Sequence, residues 1–146
     1  MKAVRPIVRC TDIRHSADMQ LVCSMYPVTD LDAAVDLYLS VGFRNVARPD
    51  QDTVLLAGVN SPHVSIMLQR HPVEVHAGTG PVFRIDNVAD FHRSHPDLDW
   101  VFAPVPLPTG DYALFRDGEG NPIRIVDFGA DAGRYARLFP PRVSTD

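Results

Sequence analysis

The feature that most constrains this chain is an order of elements that occurs twice: strand, helix, then three strands. In the first copy, LVCSMYPV (21–28) reads as a strand, and Thr29 or Asp30 caps a helix behind it. That helix carries its apolar residues Leu31, Ala34, Val35 and Tyr38 at helical spacing and ends at Gly42. Strands at 43–48, 53–58 and 64–69 follow, separated by Pro49-Asp50-Gln51-Asp52 and by Asn60-Ser61-Pro62. A loop over 70–79 leads to the second copy, which opens with GPVFRI (80–85) and continues with a helix over 87–95 that Pro96 stops. Strands at 100–105, 112–116 and 122–126 complete it. Two βαβββ units in one chain can face each other across a shared sheet, because each leaves one sheet face bare of helices. The expected fold is therefore α+β, with paired βαβββ modules forming a curved mixed sheet, a concave cleft, and helices on the convex side.

The expected domain spans 21–128, with modules at 21–70 and 80–127. Residues 1–20 are an N-terminal extension, in which VRPIVRCTDIRHSAD looks like another opening strand and cap without the rest of the unit. It reads as an added edge strand or a dimer-crossing arm. In the tail, 129–146, GADAGRYARLF can form one more helix.

The stretch FRDGEGNPIRIVDFG (115–129) places Asp117, Glu119 and Asn121 at alternate positions, as a calcium loop begins. An EF-hand needs glycine at its sixth position and a bidentate glutamate at its twelfth. Pro122 and Phe128 stand there, so the calcium reading fails. What remains is a turn of Asp, Gly and Asn between two apolar runs, which is a hairpin. On its second strand Ile123 and Ile125 share one face, leaving Pro122, Arg124 and Val126 on the other.

At 146 residues the chain is long enough for one domain with a core of its own. Its net charge of -4, with no basic cluster, argues against nucleic acid as a partner. No apolar run reaches membrane-spanning length and the start lacks the apolar stretch of a signal peptide, so a cytosolic protein without a membrane partner is expected. Cys10 and Cys23 then read as reduced thiols, neither lying in a CxxC.

VTDLDAAVDLYLSVGF (28–43) and FRDGEGNPIRI (115–125), with a weaker likeness in GPVFRIDN (80–87), resemble the vicinal oxygen chelate superfamily. That superfamily contains glyoxalase I, extradiol dioxygenases, fosfomycin-resistance enzymes and bleomycin-resistance binding proteins. The first stretch is similar to its helix ending in F-Y-x-x-x-G-F and the second to its D-P-d-G-N hairpin. Metal enzymes of the family hold a divalent ion with one ligand from each of four strands, usually histidines and glutamates. Carried over by position, the resemblance puts Cys23 in place of the first histidine, Gly80 in place of the second, Met67 or Gln69 near the first glutamate, and Arg124 in place of the glutamate that closes the site. Glycine has no ligating side chain, and a guanidinium repels a cation. No metal and no cofactor are expected there.

If the alternation holds, the cleft carries Cys23, Met25, Ser65, Met67, Gln69, Gly80, Val82, Arg84, Pro122, Arg124 and Val126. Val64, Ile66, Leu68, Phe83, Ile85, Ile123 and Ile125 would pack under the helices. Such a cleft is apolar with two arginines and suits a small organic ligand. Cys23, Met25, Ser65, Met67, Gln69, Val82, Arg84 and Arg124 are the candidate ligand-binding residues, and none is assigned a catalytic role. Arg84 and Arg124 can each bind a carboxylate or phosphate, stack on an aromatic ring, or pair with an acidic side chain of the chain itself. His71, Glu74 and His76 read as solvated loop residues, with a metal site as the alternative, and His92 and His95 as an exposed helix face, with a ligand pair as the alternative. The leading expectation is a metal-free binding protein similar to bleomycin-resistance proteins, which act by sequestering a drug. The alternatives are a lyase, isomerase or dioxygenase with a non-standard site, and a non-catalytic interaction module. A homodimer is what the resemblance implies.

Overall fold

The structure, a computed structural model, describes residues 19–139. The readings placed on 4–18 and on Cys10 lie outside the described residues. The first unit consists of β1 (Gln20–Pro27), α1 (Leu31–Ser40), β2 (Phe43–Asp50), β3 (Thr53–Gly58) and β4 (Ile66–Gln69). A short helix α2 (Pro72–Ala77) joins it to the second unit, formed by β5 (Gly80–Arg84), α3 (Val88–Ser94), β6 (Asp99–Leu107), β7 (Gly110–Arg116) and β8 (Pro122–Val126). A final helix, α4 (Ala132–Leu138), lies in the tail.

All eight strands form one curved sheet in the order β2-β3-β4-β1-β5-β8-β7-β6. Each unit contributes one half, and the halves join where β1 and β5 run antiparallel, with Cys23 opposite Val82 and Met25 opposite Gly80. The pairs β1–β4 and β5–β8 are parallel, and the other pairings are antiparallel. The sheet is mixed because the helix of each unit crosses from its first strand to the outer edge, from which the chain returns inward.

Local sequence sets the helix starts. Asp30 accepts the Ala33 amide with its side chain at 3.1 Å, so of the two candidate caps it is the one used. Asn87 does the same for Asp90 at 2.8 Å. Two clusters hold the larger helices to one face of the sheet. Leu31, Ala34, Val35 and Tyr38 of α1 pack with Val54, Leu56, Ile66 and Leu68. Under α3, Val88 and Phe91 pack with Phe83, Ile85, Ala113, Phe115, Ile123 and Ile125.

The opposite, concave face is not bare. Cys23, Met25, Leu55, Val82 and Val126 form a third cluster there with Met67, Tyr112, Phe128 and Phe139. Phe139 follows α4 directly, so the tail reaches this face, and α2 is bonded to it as well. The expectation of helices on the convex side thus holds for α1 and α3, while α2 and the end of α4 serve the concave side.

Two expected side-chain positions are corrected. Val64 lies in the concave cluster instead of under a helix, because β4 begins only at Ile66 and strand alternation does not govern the residues before it. For the same reason Ser65 is exposed, its carbonyl accepting the Ser24 amide at 2.9 Å. A register shift between Leu21 and Cys23 places both Val22 and Cys23 in the concave cluster, since a bulge interrupts the two-residue period.

The hairpin at 117–121 is a turn in fact. Asp117 accepts the amides of Glu119 and Asn121 at 2.9 Å each and the Asn121 side-chain amide at 3.0 Å. Gly120 supplies the left-handed backbone, at φ 87°. These bonds, led by the one from the Asn121 side chain, hold the Asp117 carboxyl below its ordinary range. No helix among the described residues is long and apolar enough to cross a membrane.

Candidate functional site

The four strands that the resemblance marks as ligand-bearing are β4, β1, β5 and β8, which are the four central strands of the sheet. Rows of paired residues cross them on the concave face. One row runs Leu55, Met67, Met25, Gly80. The next runs Cys23, Val82, Arg124, Leu114. Cys23, Met25, Met67, Val82 and Arg124 therefore come together. Arg84 lies half-buried one row away, opposite Val126. Gln69 lies toward the far end of β4, its amide donating to the Thr53 hydroxyl at 3.3 Å. Ser65 stands apart in the exposed segment before β4.

Arg124 is the centre of this face and is fully buried, at 0% exposure. Its Nε donates to Glu74 Oε2 at 2.7 Å, and its Nη2 lies 2.6 Å from the same oxygen. Nη2 also donates to the Gly78 carbonyl at 2.7 Å. The other carboxylate oxygen of Glu74 accepts a short hydrogen bond from the Tyr112 hydroxyl. Glu74 itself is 4% exposed. The expectation that Glu74 is a solvated loop residue is thus corrected: 70–79 contains α2, and this helix lowers Glu74 onto Arg124. Pro72 occupies the first turn, where it suits a helix, and the His71 ring accepts the Val73 amide at 3.2 Å. Arg116 adds a second tie, its Nη1 donating to the Ala77 carbonyl at 3.2 Å.

A charge buried alone would be strongly unfavourable, so this arrangement requires both partners. It consumes Nε and Nη2 of Arg124 and both oxygens of Glu74. Nη1 of Arg124 is buried and has no hydrogen-bond partner among the described residues. Beside it sits Gly80, on which a Cβ would run into the Pro122 carbonyl oxygen and approach Arg124 Nη1 to 3.3 Å. Any side chain at this position requires the β5 and β8 backbones to separate. That excludes a histidine there as firmly as the absence of the imidazole does.

The neighbouring groups are held neutral. Burial pushes the Cys23 thiol up to about 12, although the Arg124 charge opposes the shift. Burial also raises the Tyr112 hydroxyl, and the Glu74 charge raises it further. Cys23 is consequently a protonated core thiol with neither a nucleophile's nor a metal ligand's charge.

The residues present do not fit a divalent cation. A neutral thiol, a methionine or glutamine, a glycine and a guanidinium stand at the four positions, and Glu74, a carboxylate that reaches this place, is bonded to Arg124 and Tyr112. Among the described residues, no group of three or more His, Cys, Asp or Glu is arranged to hold a metal ion. His71, which caps α2, and His76 on it are exposed, and His92 and His95 contact Trp100 and Phe91 by their rings.

Glu74 and Tyr112 are the two site residues that sequence reasoning missed. Tyr112 was accessible from alternation on β7, since it shares a face with Leu114 and Arg116. For Glu74 the only signal was Pro72 opening a short helix behind His71.

Neither a protein-family model nor a curated protein matches the sequence. Solved structures do. The Mn(II)-bound glyoxalase from Novosphingobium aromaticivorans is similar at a TM-score of 0.51 and 16% identity, over 76% of this chain and 40% of that one. A glyoxalase/bleomycin resistance protein/dioxygenase superfamily member from Vibrio splendidus is similar at 0.50 and 18%, over 75% and 98%. A protein from Staphylococcus aureus reaches 0.55 at 11%, over 73% and 94%. The chain thus spans 40% of the length of the first of these and nearly all of the second.

Two predictions follow from the packing. Gly80→Ala should destabilise the fold by about 1–3 kcal/mol, the usual cost of overpacking a close contact, as measured by urea denaturation. In a Cys10→Ser background, Cys23 should resist iodoacetamide at pH 8 until the chain unfolds. Because its folded value of about 12 lies above the ordinary 9.0, its contribution to stability is complete below pH 9 and is lost as pH rises toward 12. Rapid native-state alkylation would contradict this. With its eight-stranded, curved, open sheet, the chain has the fold of a glyoxalase/bleomycin resistance protein/dioxygenase superfamily member.

Proposed function

We propose that this protein is a metal-free small-molecule-binding protein of the glyoxalase/bleomycin-resistance type, which takes up an organic ligand such as an antibiotic on its concave face. The observation that carries this reading is the buried Arg124–Glu74 pair at the place where relatives of this fold that use a metal would put a ligand. A cation there would meet a guanidinium whose counter-charge is already engaged. Tyr112, bonded to Glu74, packs in an apolar cluster with Met25, Met67, Val82, Phe128 and Phe139, side chains that are buried or half-buried here and suited in chemistry to an apolar or aromatic molecule. A homodimer is part of the same proposal, and light scattering measures it.

The competing reading is a lyase, isomerase or dioxygenase with a non-standard site. The likeness to a Mn(II)-bound glyoxalase supports it. Such an enzyme would have to draw its acid and base from Tyr112 and Glu74, which are hydrogen-bonded to one another.

Elemental analysis of the purified protein separates the two. The binding reading predicts less than about 0.1 equivalent of any divalent ion and no loss of thermal stability on adding EDTA. It also predicts stabilisation by members of a panel of aromatic and glycopeptide antibiotics, since a ligand that binds only the folded state raises Tm. One equivalent of a divalent ion removed by EDTA with a fall in Tm would overturn it.

A further inference from the structure

The ligand's chemistry can be narrowed by the hydrogen-bond inventory of Arg124. An isolated buried arginine would call for an anion. Here the positive charge is already balanced by Glu74, which is itself buried and has both oxygens bonded. A carboxylate or phosphate brought to the same place would sit close to the Glu74 charge, while the other arginines of this face are placed elsewhere, Arg84 one row away and Arg116 on the Ala77 and Gly120 carbonyls. What the pair still lacks among the described residues is an acceptor for the buried Nη1 amino group, which carries two N–H donors. The other groups packed against the guanidinium do not alter the balance: the Cys23 thiol and the Tyr112 hydroxyl are neutral, and the Gly78 carbonyl is uncharged.

Resting on the reading as a ligand-binding protein, we infer that the ligand is an uncharged, largely apolar molecule that presents one carbonyl-type oxygen to Arg124 Nη1. Ketones, quinones, lactones and amides on an aromatic frame have this chemistry, whereas free carboxylic acids and phosphate esters do not. The acceptor satisfies Nη1 through at least one of its two N–H donors, and the frame packs among Met25, Met67, Val82 and Phe128. Glu74 is then a positioning residue: it sets the charge of the site and fixes the plane of the guanidinium so that Nη1 faces away from it. Because Nη1 is covered, the ligand must displace one of the short segments over this face. The α2 segment is held there by polar bonds from Glu74, Ala77 and Gly78, while its Val73 and Val75 are exposed.

The test compares two molecules of one shape, 2-acetylnaphthalene and 2-naphthoate, on the full chain in EDTA. Affinity is measured by calorimetry, and the 15N resonances of the Arg124 guanidinium are followed by NMR. The neutral ketone should bind at least about tenfold more tightly than the carboxylate, one decade of affinity, and should move the Nη signal. In Glu74→Gln, which removes the balancing charge, the preference should reverse. Equal or tighter binding of the carboxylate by the wild type overturns the inference. So does ketone binding that leaves the Arg124 signal unmoved, or a trapped water on Nη1 that persists in the complex. If Glu74→Gln does not fold, the wild-type comparison and the Arg124 signal decide the matter. Binding of either probe only with Mn(II), or of neither probe by any form, overturns the metal-free binding reading together with this one.

Discussion

The buried pair of Arg124 and Glu74 is the interaction on which the rest of the concave face depends. A guanidinium at the middle of a central strand, with no exposure to water, is sustained only by a partner brought to it. The partner comes from α2, the segment that joins the two halves of the sheet. One ion pair thereby fixes the linker on the face that the repeated units leave bare. It orients Tyr112 on β7, gives the Gly78 carbonyl a donor, and leaves the Nη1 amino group without a partner among the described residues.

The same pair explains why a familiar architecture appears here with unfamiliar side chains. The architecture is set by features far from the pair: apolar stripes under α1 and α3, and the antiparallel seam of β1 and β5. None of these requires a particular residue on the concave face, so that face is free to carry other chemistry. Once Arg124 occupies the centre, its surroundings follow. Gly80 has to stay small because the Pro122 carbonyl and Nη1 lie against it, and Cys23 becomes a neutral core thiol.

Most of the fold was legible in the sequence because it rests on local periodicity. Helical spacing at Leu31, Ala34, Val35 and Tyr38 and the Asp117–Asn121 turn are short-range signals, and the structure contains both. The central placing of Cys23, Met25, Met67, Val82 and Arg124 was also legible, since alternation fixes which face a strand residue takes. What escaped depends on contacts far apart in sequence. Nothing near Glu74 announces that it meets a residue fifty positions later, and a carboxylate between two valines in a loop reads as solvated. Val64 and Ser65 escaped for a smaller reason, because alternation was extended two residues before β4 begins.

The central claim, that Arg124 and Glu74 depend on one another inside the concave face, is tested most directly by a double-mutant cycle with Glu74→Gln and Arg124→Met, read by urea denaturation. Breaking one side of a buried pair strands the other charge, whereas removing both leaves none, so each single variant should lose about 3–5 kcal/mol and the double variant should be more stable than either alone. Losses that simply add, with a coupling within about 0.5 kcal/mol of zero, would contradict the account.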